Sequence, residues 1–209
     1  MVIKNWCSAA HEEACQLLPP TEPLGCAAAA THHSGVMAIE RRLYQSVQEF
    51  AVDCLKAHNR VRADHGVPSL ELLPDLCEMA HNWAEKLAAR GYLLYSEIPG
   101  IGENITFFPV SVSGATVVNF WSRERALYNF SRPGWQLGTN YFTQLIWRAS
   151  SELGIGRAVL PAAKQRVRAL ASSSPADEDI VVVVAFYRPP GNGNHPGEFS
   201  ANVPRMTAI

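Results

Sequence analysis

The run DIVVVVAFYR, residues 179–188, constrains this chain more than any other stretch. Branched and aromatic residues follow one another almost without a break, which marks the strongest β-strand in the sequence. LGIGRAVL, at 153–160, is rich in small and branched residues and reads as a second strand. A third, shorter strand is expected near Asn104–Phe108. AAKQRVRALASSSPADE separates the first two. Its basic half is expected to extend the earlier strand, and its Ser-Pro-Asp half is turn chemistry.

Helical periodicity accounts for most of the rest. Leu43, Val47, Phe50, Cys54, Ala57 and Val61 recur at spacings of three and four, one face of a helix over 38–64 that Gly66 and Pro68 end. A second helix is expected from Asp75, with Glu78 three residues on as a capping box and Leu76, Ala80, Trp83 and Leu87 as its apolar stripe. Gly91 ends it. A third runs over 114–129 with Ser113 as N-cap. A short fourth runs from Tyr141 to Ser150. The tail PPGNGNHPGEFSANVP is expected to be coil. Four helices and a small sheet packed between them give an α+β fold: a three-layer α-β-α sandwich with a small antiparallel sheet, over 38–209. Residues 1–37 differ in composition, with Pro19, Pro20, Pro23 and an AAAA run, and are expected to form a poorly ordered extension.

Charge narrows the function classes. Formal net charge is −1, so no global basic field is available to hold nucleic acid. MVIKNWCSAAHEEACQLLPP places His11, Glu12 and Glu13 where the apolar core of a signal peptide would stand, and Val2 excludes the simple myristoylation signal. The cysteines number five, an odd count without a CxxC pair, and are expected to be free thiols in a reducing compartment, with Cys54 and Cys77 as small core residues.

Two carboxylates stand out. Glu103 sits in GIGENITF among glycines and apolar residues, either bonding backbone amides structurally or serving a site. Glu124 shares a helical face with Val117, Trp121 and Tyr128, so it either points inward to a partner or reaches solvent from the edge of the stripe. Two carboxylates converging on a cleft suit acid–base work or metal binding, but a zinc-type site wants histidine or cysteine beside them. None of the histidines falls in LLYSE, GENIT or NYFT. His58 is expected to be a hydrogen-bonded structural residue, and His81, flanked by Glu78 and Glu85, a surface pair member. GxSxG, GxGxxG and GxxxxGKS do not occur.

Five segments in order resemble one family: KAHNRVRADHGVPSLEL (56–72), IGENIT (101–106), WSRERALYNFSRPGW (121–135), TNYFTQLIWRASSELGIG (139–156) and VVAFYRPPGNGN (183–194). Together they are similar to the CAP superfamily of cysteine-rich secretory, antigen 5 and pathogenesis-related 1 proteins, a group that includes venom allergen-like proteins. The wording AHN…HGVP and the disulfide-poor composition resemble the Golgi-associated plant pathogenesis-related subgroup. That likeness implies a non-secreted protein associated with membrane surfaces, often as a dimer. The expected location is therefore cytoplasmic, peripheral on Golgi or other membranes. An extracellular location is the alternative, since most of the superfamily is secreted.

The resemblance implies a cleft of two histidines and two glutamates able to hold a divalent metal. The glutamates map to Glu103 and Glu124, and the histidine positions hold Tyr95 and Tyr141. A phenol with a pKa of about 10 is a poor zinc ligand near neutral pH. Direct Tyr–Glu hydrogen bonds are therefore expected in a degenerate cleft that carries no metal cofactor. The leading expectation is a non-enzymatic domain that binds a lipid, a membrane surface or a protein partner. Phe107 and Phe108 are candidates for an apolar contact patch if exposed and for core if buried. Lys164, Arg166 and Arg168 are candidates for touching anionic head groups, against an ordinary solvated hairpin. The alternatives are a metal-assisted hydrolase or protease using Glu103 and Glu124, and a dimerising assembly or regulatory protein.

Overall fold

The computed structural model describes residues 47–161 and 179–207. The extension 1–37, the expected helix start at residue 38, and Lys164, Arg166 and Arg168 lie outside these residues. Helix α1 occupies 47–64 of the described chain. It is followed by β1 (Glu71–Leu72), α2 (Pro74–Arg90), β2 (Gly102–Pro109) and α3 (Gly114–Ser122). A 3-10 helix (Arg123–Leu127), α4 (Asn140–Leu145), β3 (Glu152–Val159), β4 (Ile180–Arg188) and α5 (Glu198–Asn202) complete the order.

The strands form one sheet in the order β1-β3-β4-β2. β4 is central because its alternating residues are apolar on both sides. Val182, Val184 and Phe186 pack with Leu76, Ala80 and Leu87 of α2, whereas Val181, Val183, Ala185 and Tyr187 join Phe50, Cys54, Trp121 and Phe142 of the opposite layer. Each face buries a separate hydrophobic cluster, which produces the α-β-α layering. β4 is antiparallel to both β2 and β3. The short β1 pairs parallel with β3, so the sheet is mixed rather than purely antiparallel.

The glycines of LGIGRAVL have a tertiary cause. A Cβ on Gly154 would fall 2.2 Å from the backbone of Leu76, and one on Gly156 would fall 2.2 Å from the amide nitrogen of His81. The α2 backbone therefore lies directly on β3, at a separation only glycine permits. Gly91 closes α2 in the left-handed conformation at φ 82°, as the sequence indicates.

Several local expectations yield to packing. α2 starts one residue earlier, with Pro74 in its first turn and Leu73 at the N-cap, and no side-chain capping bond forms. Proline suits that place because it lacks the amide a cap would satisfy. Asp75 instead pairs with Arg188 at 3.2 Å. Trp83 is only partly buried, and Ala84 and Ala88 complete the stripe. Ser113 does cap α3, accepting from the Thr116 amide, but the α-helix stops at Ser122 and tightens into the 3-10 turn. α4 ends at Leu145, and the tail expected to be coil contains α5.

Candidate functional site

The cleft residues come from four separate pieces of chain. Glu103 lies on β2, Tyr95 on the loop after α2, Glu124 on the 3-10 helix and Tyr141 in the first turn of α4. The structure brings all four together. Partial burial lifts the Tyr95 phenol above its ordinary pKa, and Tyr141, Glu103 and Glu124 each raise it further. As a whole residue Tyr95 stays 63% exposed, so it forms the mouth of the cleft rather than its floor.

The expected Tyr–Glu bonds are not how the carboxylates are satisfied. Glu103 accepts from the Ser96 amide at 3.0 Å and also from the Ser96 hydroxyl. Glu124 accepts from the Phe142 amide at 3.1 Å, so it caps the first turn of α4 from a distant segment. Burial raises the Glu124 carboxyl, while the Phe142 and Tyr141 amides draw it partly back. The Tyr141 hydroxyl donates to the Ile105 carbonyl at 2.8 Å. Backbone groups, joined at Glu103 by the Ser96 hydroxyl, take the bonds expected between the phenols and the carboxylates.

Beneath the cleft runs a buried polar chain of which only His58 was expected from the sequence. His58 Nδ1 meets the Cys54 carbonyl at 2.8 Å and must donate to it. In the neutral ring Nε2 then accepts from the Tyr187 hydroxyl at 2.8 Å. Asn104 donates to that same oxygen at 3.2 Å and to the Tyr141 carbonyl at 3.0 Å. This chain ties the backbone of Tyr141 to α1 through the sheet. Complete burial holds the His58 pKa down to about 4, so the ring is neutral. His58 is therefore a structural histidine, as expected, and the glutamate-neighbouring Asn of the GEN motif is what links it to the cleft. Ser96 and Tyr187 were legible only as a polar residue beside LLY and an aromatic in a strand.

The remaining candidates separate. Phe108 is buried and meets Phe120 edge-on at 5.4 Å. Phe107 is partly buried against the α2-side cluster. Both serve the core, one of the two outcomes open to them from the sequence, because strand alternation turns them into the two faces of the sheet. His81 pairs with Glu85 at 3.6 Å and also reaches the Arg157 carbonyl at 3.1 Å; Glu78 is not its partner. Cys54 and Cys77 are free thiols, the first wholly buried and the second partly. Among the described residues no three His, Cys, Asp or Glu side chains form a metal-holding group.

Several exposed apolar residues lie near the cleft residues in sequence. Tyr92, Leu93 and Leu94 precede Tyr95, and Leu127, Trp135 and Leu137 follow Glu124.

Comparison with known proteins agrees with this architecture. Residues 55–185 match the profile of the CAP family, described as the cysteine-rich secretory protein family. The human Golgi-associated plant pathogenesis-related protein 1 is 33% identical over 159 residues, covering 75% of this chain and 93% of that protein. A pathogenesis-related protein 1 of Arabidopsis thaliana is 30% identical over 115 residues, covering 55% and 71%. In fold, the venom allergen-like protein 4 of Schistosoma mansoni aligns with a TM-score of 0.50 at 16% identity, over 74% of this chain and 93% of that one. A crystal structure of NaASP2 with Zn2+ aligns with a TM-score of 0.52 at 17% identity, over 77% and 87%.

Proposed function

Because the chain belongs to the CAP family, the cysteine-rich secretory protein family, we propose that it works as a non-enzymatic binding domain for a lipid or a membrane surface, with a cleft that has lost its metal chemistry. The carrying observation is the state of the two carboxylates. Glu103 is held by Ser96, and Glu124 by the α4 amides. The two remaining cleft positions are phenols, and the Tyr141 hydroxyl is committed to Ile105. Such a donor set does not fit zinc, which prefers imidazole and thiolate and needs its ligands unprotonated and free.

Apolar exposure supports a greasy ligand. Tyr92, Leu93, Leu94 and Tyr95 form a consecutive exposed run at the cleft mouth, more than scattered surface hydrophobes require. No helix among the described residues is long and apolar enough to cross a membrane. Peripheral attachment is the reading we adopt, in keeping with the name of the human Golgi-associated relative.

One observation favours hydrolysis as a second reading: burial raises the Glu124 carboxyl, the condition that suits a general acid. The test is organic extraction of the purified protein with mass spectrometry, beside esterase and peptidase assays. Bound lipid with no turnover supports the binding domain. Turnover lost in Glu124→Gln and Glu103→Gln would replace it with the hydrolase. A protein partner or a second copy, with no extracted lipid, would also displace it.

A further inference from the structure

The segment from the 3-10 helix to α4 holds a feature that neither the cleft nor the core uses. Leu127 is 67% exposed, Trp135 54% and Leu137 84%. They belong to one lobe. The Leu127 Cδ1 lies 3.8 Å from where a Cβ on Gly138 would stand. Gln136 bridges the backbone of Asn129 and of Arg132, and the Tyr128 hydroxyl accepts from the Gly134 amide. These hydrogen bonds tie together the loop that carries the three exposed residues.

The same lobe is cationic in a chain of net charge −1. Arg123, Arg125 and Arg132 are exposed on it. Arg205 reaches it from the C-terminal segment, donating to the Ser131 hydroxyl at 2.8 Å and lying 5.5 Å from the centre of the Phe130 ring. None of these four forms an ion pair among the described residues. Between Glu103 and Glu152 the single acidic residue is Glu124, and its carboxylate is turned to the α4 amides. The nearest acidic side chain from elsewhere among the described residues is Asp64, which with Arg125 acts on His65 beside Phe130, and it forms no ion pair with any of the four arginines.

We propose that this lobe docks on an anionic lipid bilayer, Trp135 and Leu137 entering the interfacial layer while Arg125, Arg132 and Arg205 meet lipid phosphates and carboxylates. The inference rests on reading the domain as a binding module and gives that module its docking face. The combination is what decides for a bilayer. A tryptophan beside leucines suits the boundary between head group and acyl chain, and unpaired arginines suit a negative surface. An acidic protein would satisfy the arginines but gives no particular role to a tryptophan exposed between two leucines.

The test is flotation of the full chain with phosphatidylcholine vesicles and with phosphatidylcholine–phosphatidylserine vesicles. Binding is expected to the mixed vesicles alone and to weaken with added salt. Trp135→Ala with Leu137→Ala, and separately Arg125→Glu with Arg132→Glu, are each expected to lower partitioning about tenfold or more at an unchanged thermal midpoint, since all four side chains are on the surface. Trp135→Phe is expected to keep binding while losing most fluorescence quenching by brominated lipid. The proposal is overturned by equal binding to both vesicles, by no binding to either, or by variants that bind as the parent does. Capture by an acidic protein or nucleic acid with no flotation would overturn it too. Lipid extracted from a protein that fails to float leaves the binding-domain reading intact and removes only this one. Turnover in a protein that floats removes the other.

Discussion

Tyr141 donates its phenol hydrogen to the backbone carbonyl of Ile105 at 2.8 Å, across 36 residues of sequence. The bond closes α4 onto β2, one of the two edge strands of the sheet. The side chain that the family resemblance sets at a histidine position therefore joins two elements of the fold.

Tyr141→Phe tests that role. Removing one hydroxyl from a half-buried bond to a carbonyl costs about 1 kcal/mol. Urea unfolding should show the loss as a lower midpoint at unchanged slope. An unaltered midpoint would mean that solvent replaces the hydroxyl.

Zinc calorimetry tests the donor set. The native chain should give no binding heat in the range expected of a dedicated site, whereas Tyr95→His combined with Tyr141→His should gain affinity. Tight binding by the native chain, abolished by Glu103→Gln, would contradict the degenerate cleft.

Stability should fall in mild acid because of His58. Its folded pKa is lowered to about 4 from an ordinary value of 6.5. Between those values the unfolded chain takes up a proton that the folded chain refuses, so stability is full above the upper value and declines as pH drops through the window. The total is on the order of 3 kcal/mol for a shift of this size. Urea midpoints followed from neutral pH downward measure it, and His58→Gln should flatten that part of the profile.

Gly156→Ala should be among the most damaging single-methyl changes. The added Cβ would meet the backbone of Ala80 and His81, which cannot rotate away as a side chain could. A cost on the order of 3 kcal/mol is expected, because α2 must lift from β3. A thermal midpoint within a degree or so of the parent's would show that the helix yields freely.

Local pattern determined much of this protein. The branched run of β4, the three-and-four spacing of α1, the serine cap of α3 and the glycine ending α2 are properties of neighbouring residues, so they were legible in the string. The layered class followed from them, and the likeness of five ordered segments placed Glu103 and Glu124 in one cleft. What the sequence did not contain was the identity of each polar partner. Glu103 could have met a phenol, and it meets Ser96; Glu124 could have faced solvent, and it caps a helix 18 residues on. Asp75, next to a plausible capping partner, pairs with Arg188 at the far end of the chain. The two phenylalanines of β2 became core, and β1 found a parallel neighbour, only once the sheet had its order. Hydrogen bonds and ion pairs act over about 3 Å whatever the separation along the chain, so periodicity sets the elements and only their packing chooses who meets whom.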